Sequence, residues 1–217
     1  MRIFCFKKNL KLELNILISY GFKSLKLIIN SGMKGEKMSE ILNKIITKSH
    51  EVFSFWQDGA CGWAPSSASN KLEYARIDWL SDLTDCLIIW DAKMFSLTQG
   101  ELLLAYANLG ALVEGWLKLF YCIYYEDYSR NPFLSTKGSV IEPNDMKFEF
   151  LKQFSRDILW NQTSDRERWI EKIQYRRNAI HAFNNRDLGE NIELINNFKE
   201  FYLFICEIDS KLPYPDK

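Results

Sequence analysis

The stretch "SLTQGELLLAYANLGALVEGWLKLFYCIYYEDY", residues 96–128, decides the fold class. Residues 102–125 are nearly all apolar and lack the alternation of apolar and polar positions that a half-buried strand shows. Thr98 and Glu101 form a capping-box pattern, which begins a helix. The stretch therefore predicts one long helix, which is either buried in a helical bundle or spans a membrane.

Polar residues in the middle of this helix decide between the two alternatives. Asn108, Glu114 and Lys118 would lie near the centre of a bilayer, where charged groups are costly. Glu114 and Lys118 are spaced i, i+4 and can form an ion pair. Gly110 and Gly115 allow a neighbouring helix to approach closely. We predict the central helix of a bundle and no membrane span.

The rest of the chain also has helical spacing. We expect a helix with N-cap Ser39 and further helices at 71–90, 144–160, 163–181 and 192–211, with loops at 58–70, 131–145 and 184–191. No strand pattern persists, and no linker divides residues 38–217. The sequence predicts a single all-α domain over this range.

Residues 1–37 differ from the rest in charge. They hold eight Lys and Arg against two acids, a net charge of +6, whereas residues 38–217 carry −6. An acidic body does not fit non-specific coating of nucleic acid, although a local basic site remains compatible with it. Lys34-Gly35-Glu36 can be encoded AAA-GGA-GAA, which contains a purine-rich bacterial ribosome-binding sequence. We interpret residues 1–37 as upstream DNA translated ahead of a start at Met38, with a disordered segment or an extra helix as alternatives.

Cysteine and histidine are sparse in this sequence. The cysteines Cys5, Cys61, Cys86, Cys122 and Cys206 form no CxxC pair, which favours a reduced, cytoplasmic compartment. The two histidines lie far apart, and we expect a surface position for His50. We predict no metal site and no cofactor.

The candidate site is "YRRNAIHAF", residues 175–183, where two arginines, an asparagine and His181 lie among apolar residues. Charged groups in such surroundings need a partner or a function. On a continuous helix, Arg177 lies about 40° from His181 and Arg176 about 140° away. Basic residues in a last helical turn also stabilise the helix dipole without any catalysis.

The spacing Arg176-x4-His181 resembles the Arg-x(4–6)-His signature of the HEPN superfamily. The segment "NLGALVEGWLKLF", residues 108–120, is similar to an early HEPN helix that carries a buried acid. The resemblance covers roughly residues 70–212. It implies an HEPN-like antiparallel helical bundle with additional helices, and a homodimer in which the motifs of two copies face each other across a cleft.

The resemblance also implies a chemistry, which is metal-independent RNA cleavage that leaves a 2′,3′-cyclic phosphate. Histidine would transfer protons and arginine would stabilise the charge that develops on the phosphate. We assign Arg176 as the motif arginine for its spacing, and keep Arg177 as the alternative because Asn178 follows it directly, as asparagine often follows the motif arginine in the family. Asn178 would orient the site. Glu114 and Arg186 are possible supporting residues, and Asn184 and Asn185 are candidates for the cleft wall.

Two functions follow as expectations. The first is an endoribonuclease or RNA-binding protein of a toxin–antitoxin or antiviral defence system, with a possible antitoxin or defence-system partner. The second is a non-catalytic dimeric helical module that binds a protein partner. An exposed basic cleft at the motif favours the first, and arginines tied to internal carboxylates favour the second. The sequence leaves open whether the protein is an enzyme.

Overall fold

The computed structural model describes residues 38–57, 62–93, 95–181, 183 and 185–215. Within these ranges the protein is all-α, as predicted, and no residue belongs to a β-strand. Two isolated bridges, Leu134–Val140 and Arg156–Trp160, hold loops together. The interpretation of residues 1–37 lies outside the described residues.

The helices are α1 (Met38–Gln57), α2 (Ser66–Glu73), α3 (Ile77–Asp85), α4 (Ile88–Asp91), α5 (Gln99–Ile123), α6 (Tyr125–Arg130), α7 (Phe148–Ser155), α8 (Asp165–Arg177) and α9 (Asn191–Asp209). Short 3₁₀ turns lie at Pro143–Asp145 and Asn178–His181. The candidate motif therefore spans the end of α8 and the 3₁₀ turn that follows it.

Helix α5 lies at the centre of the described fold. Its predicted capping box is confirmed, because the Thr98 hydroxyl accepts from the Glu101 amide at 3.3 Å and the Glu101 carboxylate accepts from the Thr98 amide at 2.9 Å. The helix packs against α2, α3, α7, α8 and α9. It is long and apolar enough to cross a membrane, and 67% of its most apolar window is buried inside the fold.

Two of the three glycines of α5, Gly110 and Gly115, permit close helix contacts, as the sequence predicts. A Cβ on Gly110 would lie 2.4 Å from Cγ of Arg177, and one on Gly115 would lie 2.2 Å from a methyl group of Leu80. Such distances are far shorter than any carbon–carbon contact. Gly110 therefore fixes how closely α8 approaches α5, and Gly115 does the same for α3.

The prediction of one helix over 71–90 is wrong, since the segment is divided into the end of α2, then α3 and α4. At Arg76 the backbone leaves the helical region, and the guanidinium stacks 4.0 Å from the Trp79 ring while it pairs with Asp78. At the other end, the Thr84 hydroxyl donates to the Leu80 carbonyl at 2.7 Å. Such side-chain bonds compete with the helical ladder.

Other predicted boundaries shift by a few residues. The helix predicted at 144–160 is limited to α7, because Arg156 is extended and Asp157 has a positive φ of 61°. Ser39 is not an N-cap, since α1 already includes Met38. Helix α2 begins inside the loop predicted at 58–70. These limits depend on backbone torsions and tertiary contacts, which apolar spacing does not report.

The aromatic run at the end of α5 and in α6 is buried within a single chain. Trp116, Phe120, Tyr121 and Tyr128 are each at most 3% exposed. The ring of Trp116 packs against Phe53, Phe120 packs against Tyr121, and Tyr121 and Tyr128 pack against each other and against Phe154. This aromatic surface therefore gives no reason to expect a second copy of the chain.

Candidate functional site

The limits of helix α8 determine the position of the motif at residues 175–183. The Ser164 hydroxyl caps the helix by accepting from the Glu167 amide at 3.2 Å. The helix ends at Arg177 and tightens into the 3₁₀ turn Asn178–His181. The motif helix predicted to run towards His181 thus stops four residues before it.

Arg176 points into the protein and is only 4% exposed. Its guanidinium donates to the Tyr106 hydroxyl at 2.6 Å and to the Glu193 carboxylate at 2.9 Å, and lies 5.0 Å from the centre of the Tyr106 ring. Asn197 donates to the same hydroxyl at 3.0 Å. The arginine assigned from the spacing to His181 is therefore a bonded member of a buried network between α5, α8 and α9.

Arg177 lies at the surface edge between α8 and α5. Its aliphatic stem covers Gly110, and its guanidinium donates to the Glu114 carboxylate at 2.8 Å. A third of the side chain remains exposed. A second bond runs to Oδ1 of Asn178, at 3.4 Å. Of the two arginines, Arg177 is the one that solvent or a ligand can reach.

The 3₁₀ turn determines the position of His181. Asn178 and His181 are the first and last residues of the turn, and residues three apart eclipse each other in a 3₁₀ helix, so the two lie on the same side of the turn. Asn178 in turn contacts Arg177. The imidazole is exposed and has no hydrogen-bond partner among the residues that the structure describes. Arg177, Asn178 and His181 thus follow one another at the end of the helix, whereas the guanidinium of Arg176 points into the protein.

Glu114 holds two cations. Its carboxylate is 14% exposed and lies 2.8 Å from Arg177 and 3.0 Å from Lys118. The ion pair predicted from the i, i+4 spacing is present, and an arginine joins it. If Arg177 leaves to bind another anion, Lys118 remains beside the carboxylate, which lowers the electrostatic cost of the exchange.

Arg186, the other supporting residue predicted, lies over the ring of Tyr175. The guanidinium is 5.0 Å from the ring centre and donates to the Tyr175 carbonyl at 3.3 Å. Asn185 is exposed in the following loop. Asn184, the other predicted wall residue, lies outside the described residues.

The charges of this network shift the pKa values of its members. The ammonium of Lys172 and the guanidinium of Arg176 hold the pKa of the Glu193 carboxyl at about 2, well below its usual range. Burial raises the pKa of the Tyr106 phenol, and the charge of Arg176 opposes that rise. Near neutral pH, Tyr106 is therefore a neutral hydroxyl that accepts from a cation.

Sequence analysis missed Tyr106, Glu193 and Asn197, which hold Arg176. Glu193 and Asn197 are spaced i, i+4 on α9, so they share the helix face that meets α8. This spacing was the signal available in the sequence. Polar residues on an otherwise apolar helix face become buried and then need hydrogen-bond partners. The identity of the partners depends on how α8 and α9 pair.

The two helices run antiparallel. Arg166, near the start of α8, contacts Glu200 in the middle of α9 and Glu207 near its end, whereas Arg176 contacts Glu193 in its first turn. Arg166 also packs over the ring of Phe204. This pairing brings Glu193 to the motif.

The other histidine is placed differently. Nε2 of His50 lies 2.8 Å from Asp85 and 3.4 Å from the Ser81 hydroxyl. Both contacts use one ring nitrogen, so the three residues do not form the serine–histidine–acid relay, which uses both nitrogens. His50 is partly exposed, as predicted. In the part of the chain that the structure describes, no group of three or more His, Cys, Asp or Glu residues is placed to hold a metal ion.

Comparison with known proteins finds no match to this chain among protein-family models, curated proteins or solved structures.

Proposed function

We propose that this protein is an HEPN-like, metal-independent endoribonuclease and that Arg177, Asn178 and His181 form its site. One observation carries the proposal: the 3₁₀ turn runs from Asn178, which contacts a partly exposed arginine, to His181, which is exposed and has no hydrogen-bond partner among the described residues. An acid–base group next to a planar cation is what cleavage of an RNA phosphodiester requires. The proposal assigns the arginine role to Arg177, because Arg176 is buried and bonded.

The reaction would proceed within the RNA. The 2′-oxygen forms a bond to phosphorus, its proton passes to the imidazole of His181, and the bond from phosphorus to the 5′-oxygen breaks. That leaving oxygen must gain a proton. The same histidine of a second copy would supply it, as in the composite cleft that the HEPN resemblance implies. Arg177 would exchange Glu114 for the phosphate and stabilise its developing charge.

The test uses single-stranded RNA in EDTA. We expect products with 2′,3′-cyclic phosphate and 5′-hydroxyl ends, and His181→Ala should lower the rate by about 10²–10⁴. The melting temperature should not change, since the imidazole bonds no described residue. His50→Ala is the matched control, because it removes the other histidine and should leave cleavage unchanged. Wild-type protein that cleaves no RNA would refute the proposal.

Dimerisation is a separate expectation of this proposal. Sedimentation of the full chain at micromolar concentration should give twice the chain mass of 25.6 kDa. A monomer that still cleaves RNA would remove the composite cleft but leave the site residues in place. We place the protein in the cytoplasm, in a toxin–antitoxin or antiviral defence setting, as the resemblance implies.

A second candidate is a non-catalytic dimeric module that binds a protein partner. It is favoured by the pairing of both arginines with carboxylates, Arg176 with Glu193 and Arg177 with Glu114. In this case RNA would not be cleaved, and Arg177→Ala would weaken binding of the partner. The cleavage assay with His181→Ala separates the two candidates.

A further inference from the structure

The segment from Lys172 to Arg186 contains four basic residues and no acid. Three of the four, Lys172, Arg176 and Arg177, form ion pairs with carboxylates from other helices. Arg186 does not, since within the described residues its guanidinium contacts only the ring and the carbonyl of Tyr175. Arg186 is therefore the Lys or Arg residue of this segment that pairs with no described carboxylate, and it has donors left for an external anion.

Tyr175 has an aromatic surface left for a ligand. The guanidinium of Arg186 covers one face of its ring, yet the residue remains 46% exposed. The contact with Arg186 therefore leaves nearly half of the residue open to a ligand. An aromatic face next to a cation is the arrangement on which unpaired nucleobases stack.

The position of Tyr175 relative to the proposed site follows from helix geometry. Tyr175 and Asn178 are three residues apart at the end of α8, so they are neighbours on one face. His181 lies on the same side of the 3₁₀ turn as Asn178. The three residues form a row, and Tyr175 lies about 10 Å from His181 along the axis. A chain of RNA bound at His181 would pass along this row.

We propose that Tyr175 and Arg186 form a nucleotide-binding subsite for single-stranded RNA, with the base stacked on Tyr175 and a phosphate held by Arg186. This inference rests on the proposed RNA function and specifies its substrate class. Duplex RNA keeps its bases stacked inside the helix, so it cannot place one on the ring. The subsite therefore selects unpaired RNA and tolerates different base sequences, because every base has a face that can stack.

The subsite is tested by binding in the His181→Ala background, so that RNA stays intact. Anisotropy is measured with a labelled single-stranded oligonucleotide, the same oligonucleotide as a duplex, and one with abasic positions. We expect Tyr175→Leu to weaken single-strand binding by about tenfold and to leave the abasic oligonucleotide unaffected. Tyr175→Phe should restore binding, since it keeps the ring.

Arg186→Gln should weaken binding of both oligonucleotides and lower the slope of log K against log salt by about 0.7, the value for one phosphate of a single strand. Two exposed residues serve as controls, Tyr74→Leu for the loss of a ring and Arg168→Gln for the loss of a charge. Both should bind as the parent protein does.

The outcomes separate this subsite from the proposed function. If the wild type cleaves RNA while Tyr175→Leu and Arg186→Gln bind normally, the subsite is refuted and the enzyme stands. If binding depends on Tyr175 but the wild type never cleaves, the enzyme is refuted and the subsite stands. If the wild type binds no RNA, both are refuted.

Discussion

Arg176 and Arg177 are adjacent in the chain, and both end helix α8, but they belong to different regions of the molecule. On the side that faces α9, Arg176 is bonded to Glu193 of α9 and to Tyr106 of α5, and it is only 4% exposed. The α5 side lays Arg177 over Gly110 and leaves a third of its side chain in solvent. A rotation of about 100° per residue is enough to separate the two environments.

The difference gives the two candidate arginines different surroundings, which the count of residues to the histidine does not report. The count of four residues between Arg176 and His181 assigns Arg176, whose donors are used inside the protein. A ligand could bind Arg176 only if the guanidinium gave up its bonds to Glu193 and Tyr106. Breaking these buried bonds would cost a large amount of free energy. The α5 side has one exchangeable carboxylate, Glu114, which keeps a second cation.

The largest expected effect comes from replacing each arginine in turn. Arg177→Ala should lower RNA cleavage by roughly 10²–10³, by analogy with the loss of an oxyanion donor, and should change stability little. Arg176→Ala should lower the free energy of unfolding by about 2–4 kcal/mol, since it leaves buried polar groups without their partner. Cleavage rates and denaturant unfolding measure the two effects.

Arg176→Lys is the control for this comparison. It keeps the charge but not the planar fork that reaches Tyr106 and Glu193 together, so it should restore stability only in part. If Arg176→Ala folds normally and loses more cleavage than Arg177→Ala, the spacing to His181 identifies the arginine after all, and the assignment to Arg177 fails.

Sequence analysis predicted the all-α class and the central helix because those depend on local patterns. The capping box of Thr98, the pair of Glu114 with Lys118, and the close approach at Gly110 each depend on short spacing or on one small residue. All three are present. Local chemistry was therefore sufficient for the helix around which the rest of the described fold packs.

The division at Arg76 and the partners of Arg176 could not be predicted in this way. The apolar spacing continues through Arg76, but the helix is interrupted there because the Arg76 side chain contacts Trp79 and Asp78. The sequence alone does not select this conformation over a continuous helix. Arg176 meets Tyr106 across 70 positions of sequence. Contacts of this kind depend on how helices pair, and periodicity reports only which face of a helix is buried.

The contact between Gly110 and Arg177 gives a smaller effect that sharpens the comparison. Gly110→Ala places a Cβ 2.4 Å from Cγ of Arg177, so α8 must move away or Arg177 must rotate. We expect a loss of about 1–3 kcal/mol from overpacking, which the better helix propensity of alanine reduces by about 1 kcal/mol. Cleavage should fall as well, because the guanidinium moves from its position.

Gly100→Ala is the matched control for this change. It lies in the first turn of the same helix, and a Cβ there would meet nothing within 4 Å. It should be neutral or slightly stabilising. Equal stability of the two variants would show that Arg177 does not lie on Gly110, and it would remove the geometric basis for its position at the site.

The smallest effect concerns the carboxylate on the buried side, and it depends on pH. The pKa of Glu193 is about 2 in the folded protein, below its value of 4.5 in the unfolded chain. A lowered folded pKa gives stability that is fully present above about pH 4.5 and is lost as pH falls towards 2. Glu193→Gln should therefore cost roughly 1 kcal/mol at pH 7, a figure reduced for solvent screening because the side chain is 35% exposed.

Measured by urea unfolding, the gap between wild type and Glu193→Gln should narrow steadily from pH 4.5 to pH 2, because the wild-type carboxyl becomes neutral and the two proteins become alike. Glu190→Gln is the matched control, since Glu190 also lies at the start of α9 but pairs with no cation among the described residues. It measures the interaction with the helix dipole alone, which contributes about 0.3–1 kcal/mol. If Glu193→Gln and Glu190→Gln lower the free energy of unfolding equally at every pH, the pair of Arg176 with the Glu193 carboxylate does not stabilise the fold. The contrast between a buried structural arginine and an exchangeable one would then rest on Tyr106 alone.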